Sequence, residues 1–424
     1  MISVRVYFKG KEVGVVTADS KNPNYYVFRY TDEFINSHIE LCPLLMPLSK
    51  TNYLFPNLSI PSFKGLPPLL ADSLPDRYGS ELLFSWQKMH DKPLLNSLEA
   101  LSYIGKRGMG ALEFVPALGK LEMNSDETID ICSLSTLANQ MLNEREKIEF
   151  STSNIKLTQL ISVGSSIGGA RAKAIVAIDK NGFFKSGQIS GLDGYEYCII
   201  KFDGLLADLS EEKNITYYTR IEYAYYLMAK ACGINMSSCS LLKIDNRYHF
   251  KTKRFDRDEH GNKIHMLSLA GMAGFDYQKA GEYSYEDVAI IIRRLNGGME
   301  DMNQLFMRMV FNVIFKNHDD HVKNISFLMD ENGQYHLSPA YDLSYSYNPN
   351  GQWTRYHQMS VNHKVDNITE DDLIEAGKKM FISSSKAKKM IKKIKDIGKK
   401  FETFAKEAEL PDEIIKEIYS QFLL

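Results

Sequence analysis

At 424 residues and 48.4 kDa the chain is too long for one hydrophobic core, since single cores stop growing near ~250–300 residues, and two or three compact lobes are expected. With 44% apolar and 25% charged residues and only 27 Gly and 13 Pro, the composition excludes collagen-like, disordered and low-complexity proteins. The 51 basic and 53 acidic side chains leave a formal charge of −2, so contact with nucleic acid would need a local patch rather than a global field.

The start, Met1-Ile2-Ser3-Val4-Arg5-Val6-Tyr7-Phe8, alternates with period two, as a half-buried strand does and a signal peptide does not. Strands are predicted at 2–8, 11–17 and 25–30, then helices around 69–89 and 98–104, which makes 1–110 a small α+β unit. The stretch 111–258 opens with a strand at 112–115 and a polar helix near 134–149. Strands at 173–178 and 197–202, a helix at 217–232, and strands at 240–244 and 248–254 complete a sheet with one prominent helix. In 259–424 nearly everything from about 284 onward reads as helical. The exception is a hairpin, 325–329 and 334–337, joined by Asp330-Glu331-Asn332-Gly333, where Asn-Gly is a strong turn signal. A β-rich lobe followed by a helical one suggests a ligand between lobes.

The five cysteines (Cys42, Cys132, Cys198, Cys232, Cys239) are scattered, with no Cys-x-x-Cys pair, which argues against a disulfide framework or a structural zinc site and for a reducing compartment. No apolar run approaches the ~18 residues of a membrane span, so a soluble, cytoplasmic protein without membrane contact is expected.

The segment Lys316-Asn317-His318-Asp319-Asp320-His321-Val322-Lys323-Asn324 sits where a long apolar helix runs out and the hairpin begins. Asp319 and Asn324 have the Asp-x-x-x-x-Asn spacing of a protein-kinase catalytic loop, in which the Asp takes the substrate hydroxyl proton and the Asn binds magnesium. Asp320 is one residue too close. Past the hairpin, Ser338-Pro339-Ala340-Tyr341-Asp342 supplies a second candidate magnesium carboxylate, Asp342. A plainer reading makes these residues caps of a helix end and a turn. Another uses His318 and His321 with the aspartates as ligands of a hydrolytic metal. Neither predicts Asp342 just past a hairpin.

Gly164-Ser165-Ser166-Ile167-Gly168-Gly169-Ala170-Arg171-Ala172-Lys173 is a glycine-rich turn entering a strand, where backbone N–H groups can approach phosphate oxygens and Arg171 or Lys173 adds charge. It matches neither common phosphate-loop pattern, and a plain hairpin turn explains an isolated Gly-Gly equally well. Lys201 ends the apolar run Cys198-Ile199-Ile200, as a kinase lysine bound for the α- and β-phosphates does, although strand-end lysines are usually just solvated. Glu222 on the following helix is either its partner or an exposed helical acid.

Taken together these residues resemble the HipA-like serine/threonine kinases, toxins of bacterial toxin–antitoxin pairs. The likeness runs through Ser166 to Lys173 (glycine-rich loop), Ile199-Ile200-Lys201 (ATP lysine strand), Arg254-Phe255-Asp256-Arg257 (inter-lobe signature), Asn317-x-Asp319-x-His321-x-Lys323-Asn324 (catalytic loop) and Pro339-x-Tyr341-Asp342 (metal aspartate). Leu70-Ala71-Asp72-Ser73-Leu74-Pro75-Asp76 is similar to part of the family's N-terminal subdomain. The resemblance implies an α+β, two-lobed protein-kinase-like fold: an extra α+β subdomain (1–110), a kinase N-lobe (111–258) and an all-helical C-terminal lobe (259–424).

It further implies Asp319 as catalytic base, Asn324 and Asp342 on Mg2+, and ATP held by Gly168, Gly169, Ala170, Arg171, Lys173, Lys201, His321, Lys323, Asn324 and Asp342. Adenine recognition would fall near Met266-Leu267-Ser268-Leu269, through backbone groups of Ser268 and Leu269. Ser166 stands where the family autophosphorylates, ejecting the loop from the ATP site, with Ser165 and Ser162 as competing acceptors. The implied substrate is a protein of the translation machinery, aminoacyl-tRNA synthetases being the family precedent, and the implied partner a HipB-like helix-turn-helix antitoxin through which DNA is met indirectly. Ala172 departs from a proline common in the family, and Leu343-Ser344 replaces the Phe-Gly of eukaryotic kinases.

Eight lysines between 386 and 400 alternate with Met390, Ile391, Ile394, Ile397, Phe401 and Phe404 at helical spacing. A core-facing stripe with a solvated lysine face accounts for this, the functional alternative being contact with operator phosphates. Two further readings stay open: a catalytically silent partner in an antitoxin–DNA complex, and a metal-dependent phosphohydrolase.

Overall fold

In the computed structural model, which describes residues 3–91, 93–117, 127–143, 155–164, 171–203, 217–244 and 246–424, the period-two pattern at the start does form a strand. β1 (Ser3–Phe8) buries Val4, Val6 and Phe8 and pairs with β2 (Lys11–Ala18) through a tight turn in which Lys9 (φ 47°) and Gly10 (φ 78°) both take left-handed conformations. β3 (Tyr26–Tyr30) adds to β2. On the other side of β1 lies β4 (Leu112–Val115), with Phe8 opposite Leu112 and Arg5 opposite Val115. The strand at 112–115, expected to open the second stretch, therefore closes the first sheet, in the order β3-β2-β1-β4.

The chain divides into two compact units, Met1–Thr216 with Leu242–Met266, and Tyr217–Leu241 with Leu267–Leu424. In the first, short helices α1 (Asp32–Ile35), α2 (Ile60–Phe63) and α3 (Pro68–Ala71) precede α4 (Arg77–Met89) and α5 (Ser97–Ile104). The single helix expected over 69–89 is broken between α3 and α4, where Pro75 keeps Leu74 out of helical geometry. α5 begins on a capping box, Asn96 Oδ1 accepting from the N–H groups of Leu98 and Glu99 while Asn96 N–H donates to Glu99. α6 (Ile131–Asn143) starts before the predicted 134, and α7 (Ile155–Gly164) follows.

The second sheet has the order β6-β5-β7-β9-β8: β5 (Lys173–Asp179), β6 (Phe184–Ser186), β7 (Tyr195–Lys201), β8 (Cys239–Ile244) and β9 (Arg247–Lys253). β5 lies between β6 and β7 and buries Ala174, Ile175, Val176 and Ala177 in succession, so its sequence reads as a continuous apolar run. Just past β9, Arg254 holds Asp256 with two nitrogens (2.8 and 2.7 Å) and Arg257 adds a third contact at 2.8 Å. Asp256 also accepts from Gly110 N–H, which ties this cluster to the loop before β4.

The second unit is built on α8 (Tyr218–Cys232), α9 (Leu269–Ala273), α10 (Tyr285–Arg294), α11 (Met299–Ile314), α12 (Glu370–Lys379), α13 (Ser384–Gly398), α14 (Phe401–Glu407) and α15 (Asp412–Ser420). Tyr225, Phe311, Phe315, Phe401 and Phe422 meet edge-on in its core. The hairpin β11 (Ser326–Met329) and β12 (Tyr335–Leu337) gains a third strand, β10 (Met266–Ser268). The expectation that the rest beyond 284 is helical fails over 338–369, which lacks regular elements and is held by side-chain hydrogen bonds instead. α13 buries Ala387, Ile391 and Ile394, while Lys392 and Lys399 pair with Asp396 and Lys395 with Glu370, the core-stripe reading of the lysine-rich stretch. Among the described residues no disulfide forms, and no helix is long and apolar enough to cross a membrane.

Candidate active site

The catalytic-loop candidates share the second unit. α11 ends where Lys316 turns left-handed (φ 57°) and Asn317 N–H closes back on Asn312 C=O. The chain then runs extended to a single 3₁₀ turn, Val322–Asn324, capped by His321, whose Nδ1 accepts from Lys323 N–H at 3.2 Å. In the neutral ring that leaves the proton on Nε2, which lies 3.7 Å from Asp319 Oδ1.

Asp319 and Asp320 are neighbours with opposite fates. The Asp319 side chain is 44% exposed and that of Asp320 is 0%, so only Asp319 can meet a substrate hydroxyl. Asp319 is fixed on three sides. Its N–H donates to Ser346 Oγ (3.0 Å), its C=O accepts from Asn324 Nδ2 (2.7 Å), and its Oδ1 accepts from the Trp353 indole N–H (2.8 Å). Asp320 instead accepts from Tyr285 O–H (2.9 Å), Gln358 N–H (2.8 Å) and His357 Nδ1 (2.9 Å). Burial alone would push its carboxyl up. The facing His357 and these donors outweigh burial and hold it below its usual range.

Asn312 and Asn317 continue the network. Asn312 donates to Tyr285 (2.8 Å), Asn317 to Asn312 (3.0 Å), and Ser346 Oγ to Asn317 (2.9 Å). These bonds join Tyr285, Asn312, Asn317 and Ser346 into one network beneath Asp319, which favours a single loop conformation.

Asp342 has φ 53°, left-handed geometry that is strained for a residue with a Cβ and is tolerated best by Asp and Asn. The chain leading to it is pinned by Ala340 N–H on Asn235 C=O (2.7 Å) and Tyr341 O–H on Lys323 C=O (2.7 Å). Asp342, Asn324, His321, Asp320 and Arg308 line one recess of about 20 Å³, room for a single water-sized group. The Lys323 ammonium lies 4.8 Å above the Tyr277 ring. Ser268 spends its hydroxyl capping α9, accepting from Gly271 N–H, and Leu269 N–H donates to Ile325 C=O (2.8 Å), just beyond Asn324.

His318 and His321 do not form a ligand pair. His318 is buried against His357 (ring centroids 4.1 Å apart) with Nδ1 on Arg355 C=O. Burial and the neighbouring His357 push its pKa down to about 3. Among the described residues no group of three or more His, Cys, Asp and Glu gathers to hold a metal on its own.

In the first unit, Lys173 and Lys201 face each other across β5 and β7, concentrating positive charge at that end of the sheet. Lys173 is 3% exposed, and Lys201 Nζ sits 5.6 Å from the Phe250 ring centre. Arg171 is half-buried just before β5. Ser165, Ser166, Gly168, Gly169 and Ala170 lie outside the described residues, and Ser162 is buried with its hydroxyl on Gln159 C=O. Glu222, offered by the sequence as an exposed alternative, is buried on α8. Trp353, Ser346, Gln358 and His357 escaped the sequence reading because they lie in an aperiodic stretch, and their only advance signal was a tryptophan amid polar residues.

Residues 4–115 match the HipA N-terminal domain and residues 165–420 the HipA-like C-terminal domain. The fold aligns with HipA of Shewanella oneidensis MR-1, solved as a complex with HipB and operator DNA, at a TM-score of 0.71 and 17% identity, covering 99% of this chain and 95% of that one. A candidate kinase of Haemophilus influenzae is 27% identical over 135 residues, 29% of this chain, and the match spans only 39% of that protein's length. The proinflammatory kinase CtkA of Helicobacter pylori aligns at a TM-score of 0.31 and 14% identity, over 54% of this chain and 88% of that one, too slight a likeness to carry weight.

Proposed function

From its membership of the HipA family, we propose that this chain is a cytoplasmic, ATP- and magnesium-dependent serine/threonine protein kinase, the toxin of a toxin–antitoxin pair. One observation supports this above the rest. Asp319 stands accessible on a loop braced by Asn324, and Asn324 shares a recess with Asp342.

In the proposed step the acceptor hydroxyl oxygen bonds to the γ-phosphorus, the bond to the β–γ bridging oxygen breaks and ADP leaves, and the hydroxyl proton passes to Asp319. By family resemblance, the roles proposed for Lys201, Lys173, Arg171, His321, Lys323 and the 168–170 loop are contacts to ATP phosphates, and that proposed for Ser268 and Leu269 is adenine recognition. Asn324 Nδ2 is committed to Asp319 C=O, so Asn324 would turn its amide oxygen to magnesium, and Asp342 would add a carboxylate, both hard donors suited to that ion. Two protein ligands suffice where phosphates and waters complete the shell. Magnesium, when bound, neutralises charge developing on the transferred phosphoryl group.

The substrate on this reading is a translation protein of the aminoacyl-tRNA synthetase kind, the lobes divide near 110 and 258, and Ser166 is the silencing autophosphorylation site. The S. oneidensis complex supports a HipB-like antitoxin that carries the contact with DNA. The retained Asp319, Asn324, Asp342 and Lys201 weigh against a catalytically silent partner, and the separate partners of His318 and His321 weigh against a phosphohydrolase. The test is γ-labelled ATP with magnesium and mass spectrometry of the loop peptide, alongside Asp319→Asn and Ser166→Ala. Label on Ser166 that disappears in Asp319→Asn is expected. ATP binding without label on this protein or on cell extract would sink the kinase reading.

A further inference from the structure

Asp319 and Asp320 are each bonded to the same short segment. Trp353 donates its indole N–H to Asp319 Oδ1, the Trp353 carbonyl accepts from Gln358 Nε2, and Gln358 N–H donates to Asp320 Oδ1. The result is a closed hydrogen-bonded ring running Asp319–Trp353–Gln358–Asp320, with its buried corner at Asp320. His321 Nε2, 3.7 Å away, approaches the same Asp319 oxygen that Trp353 occupies.

A carboxylate that must accept a proton needs one oxygen presented to the substrate and the other held still. A lysine or arginine would hold it but would set a full positive charge against the base. An indole N–H donates without charge and has no acceptor of its own, so it can fix the carboxylate rotamer without setting a full positive charge beside it. We propose that Trp353 is a positioning residue for phosphoryl transfer. It locks Oδ1 of Asp319 so that Oδ2 is the oxygen offered to the acceptor hydroxyl, and Gln358 and Asp320 hold Trp353 in register. This inference rests on the kinase reading.

The chain has two tryptophans, Trp86 and Trp353, and Trp86 is buried in the other unit, so isotope-labelled indole N–H resonances give a two-peak spectrum. Trp353→Phe keeps the ring, deletes the donor and assigns its peak. Asp319→Asn in the full chain should move that peak and leave the Trp86 peak in place. With γ-labelled ATP, Trp353→Phe should lower the maximum rate of label transfer about ten- to a hundredfold while the half-saturating ATP concentration stays unchanged, the pattern of lost orientation rather than lost binding. A misfolded variant would lose ATP saturation as well. A Trp353 peak indifferent to Asp319→Asn, or a Trp353→Phe protein as fast as the wild type, overturns the positioning role alone. A wild type that transfers no phosphate overturns the kinase reading and the role with it.

Discussion

His357 Nδ1 lies 2.9 Å from Asp320 Oδ2 in a fully enclosed position, one residue from the exposed carboxylate of Asp319. An ionised carboxylate only accepts, so Nδ1 carries the proton and the imidazole is a fixed donor. The pair anchors the aperiodic segment to the loop below it.

Asp320→Ala should therefore cost about 3–5 kcal/mol, since His357, Tyr285 and Gln358 N–H all lose their acceptor inside the protein. Asp320→Asn, which keeps one acceptor oxygen, should cost less. Denaturant midpoints of the two variants check the order, and equal midpoints would mean the network carries little of the stability.

In the first unit, Arg254, Asp256 and Arg257 are buried together, and although burial alone would raise the Asp256 carboxyl, the two guanidinium groups hold it well below the usual carboxylate range. Removing the acid strands two buried cations, so Asp256→Ala should destabilise by about 3–5 kcal/mol. Lys392→Ala, at a solvent-exposed pair with Asp396, should leave the transition where it was. Thermal melts of both proteins decide this, and a small shift for Asp256→Ala would show that packing compensates for the lost charge.

Three buried histidines set an acid-side slope. Burial lowers His249 and His265 from 6.5 to about 4 and His318 to about 3, with Arg247 adding to the effect on His249 and His357 to that on His318. Each stays neutral in the fold while the unfolded chain takes up a proton below about 6.5, so the unfolded state binds more protons and stability falls as pH drops from 6.5 towards 4. The expected loss is roughly 1 kcal/mol per pH unit for each histidine, measurable as urea midpoints between neutral pH and pH ~5. A flat profile there would contradict their buried neutral state.

Gly377 sits inside α12, where alanine would ordinarily gain about 1 kcal/mol of helix propensity. A Cβ there would come within 2.8 Å of the buried Phe306 ring, and overpacking of that kind costs about 1–3 kcal/mol. The clash should win, so Gly377→Ala is expected to lower the melting temperature, and a rise would show that Phe306 has room to move.

Local pattern was legible because it depends on neighbours in sequence. Alternation in Ser3–Phe8, the apolar run of β5, the Asn332-Gly333 turn and the Asp319-to-Asn324 spacing each report a conformation or a chemistry that the residues themselves favour. Pro75 also carried a local signal, but the helix predicted over 69–89 ran through it, and the structure breaks there. What the residues could not report was which distant segment each would meet. β4 could be read as a strand but not as the partner of β1, because backbone hydrogen bonds across a hundred residues carry no sequence code. The same holds at the site. The sequence by itself determined the spacing of Asp319 and Asn324 and the place of Asp342 past a hairpin, whereas only the tertiary structure decided that Asp320 is buried and Asp319 exposed, and that Trp353 holds the latter, because burial and hydrogen-bond partners depend on where the chain crosses itself rather than on the residues alone.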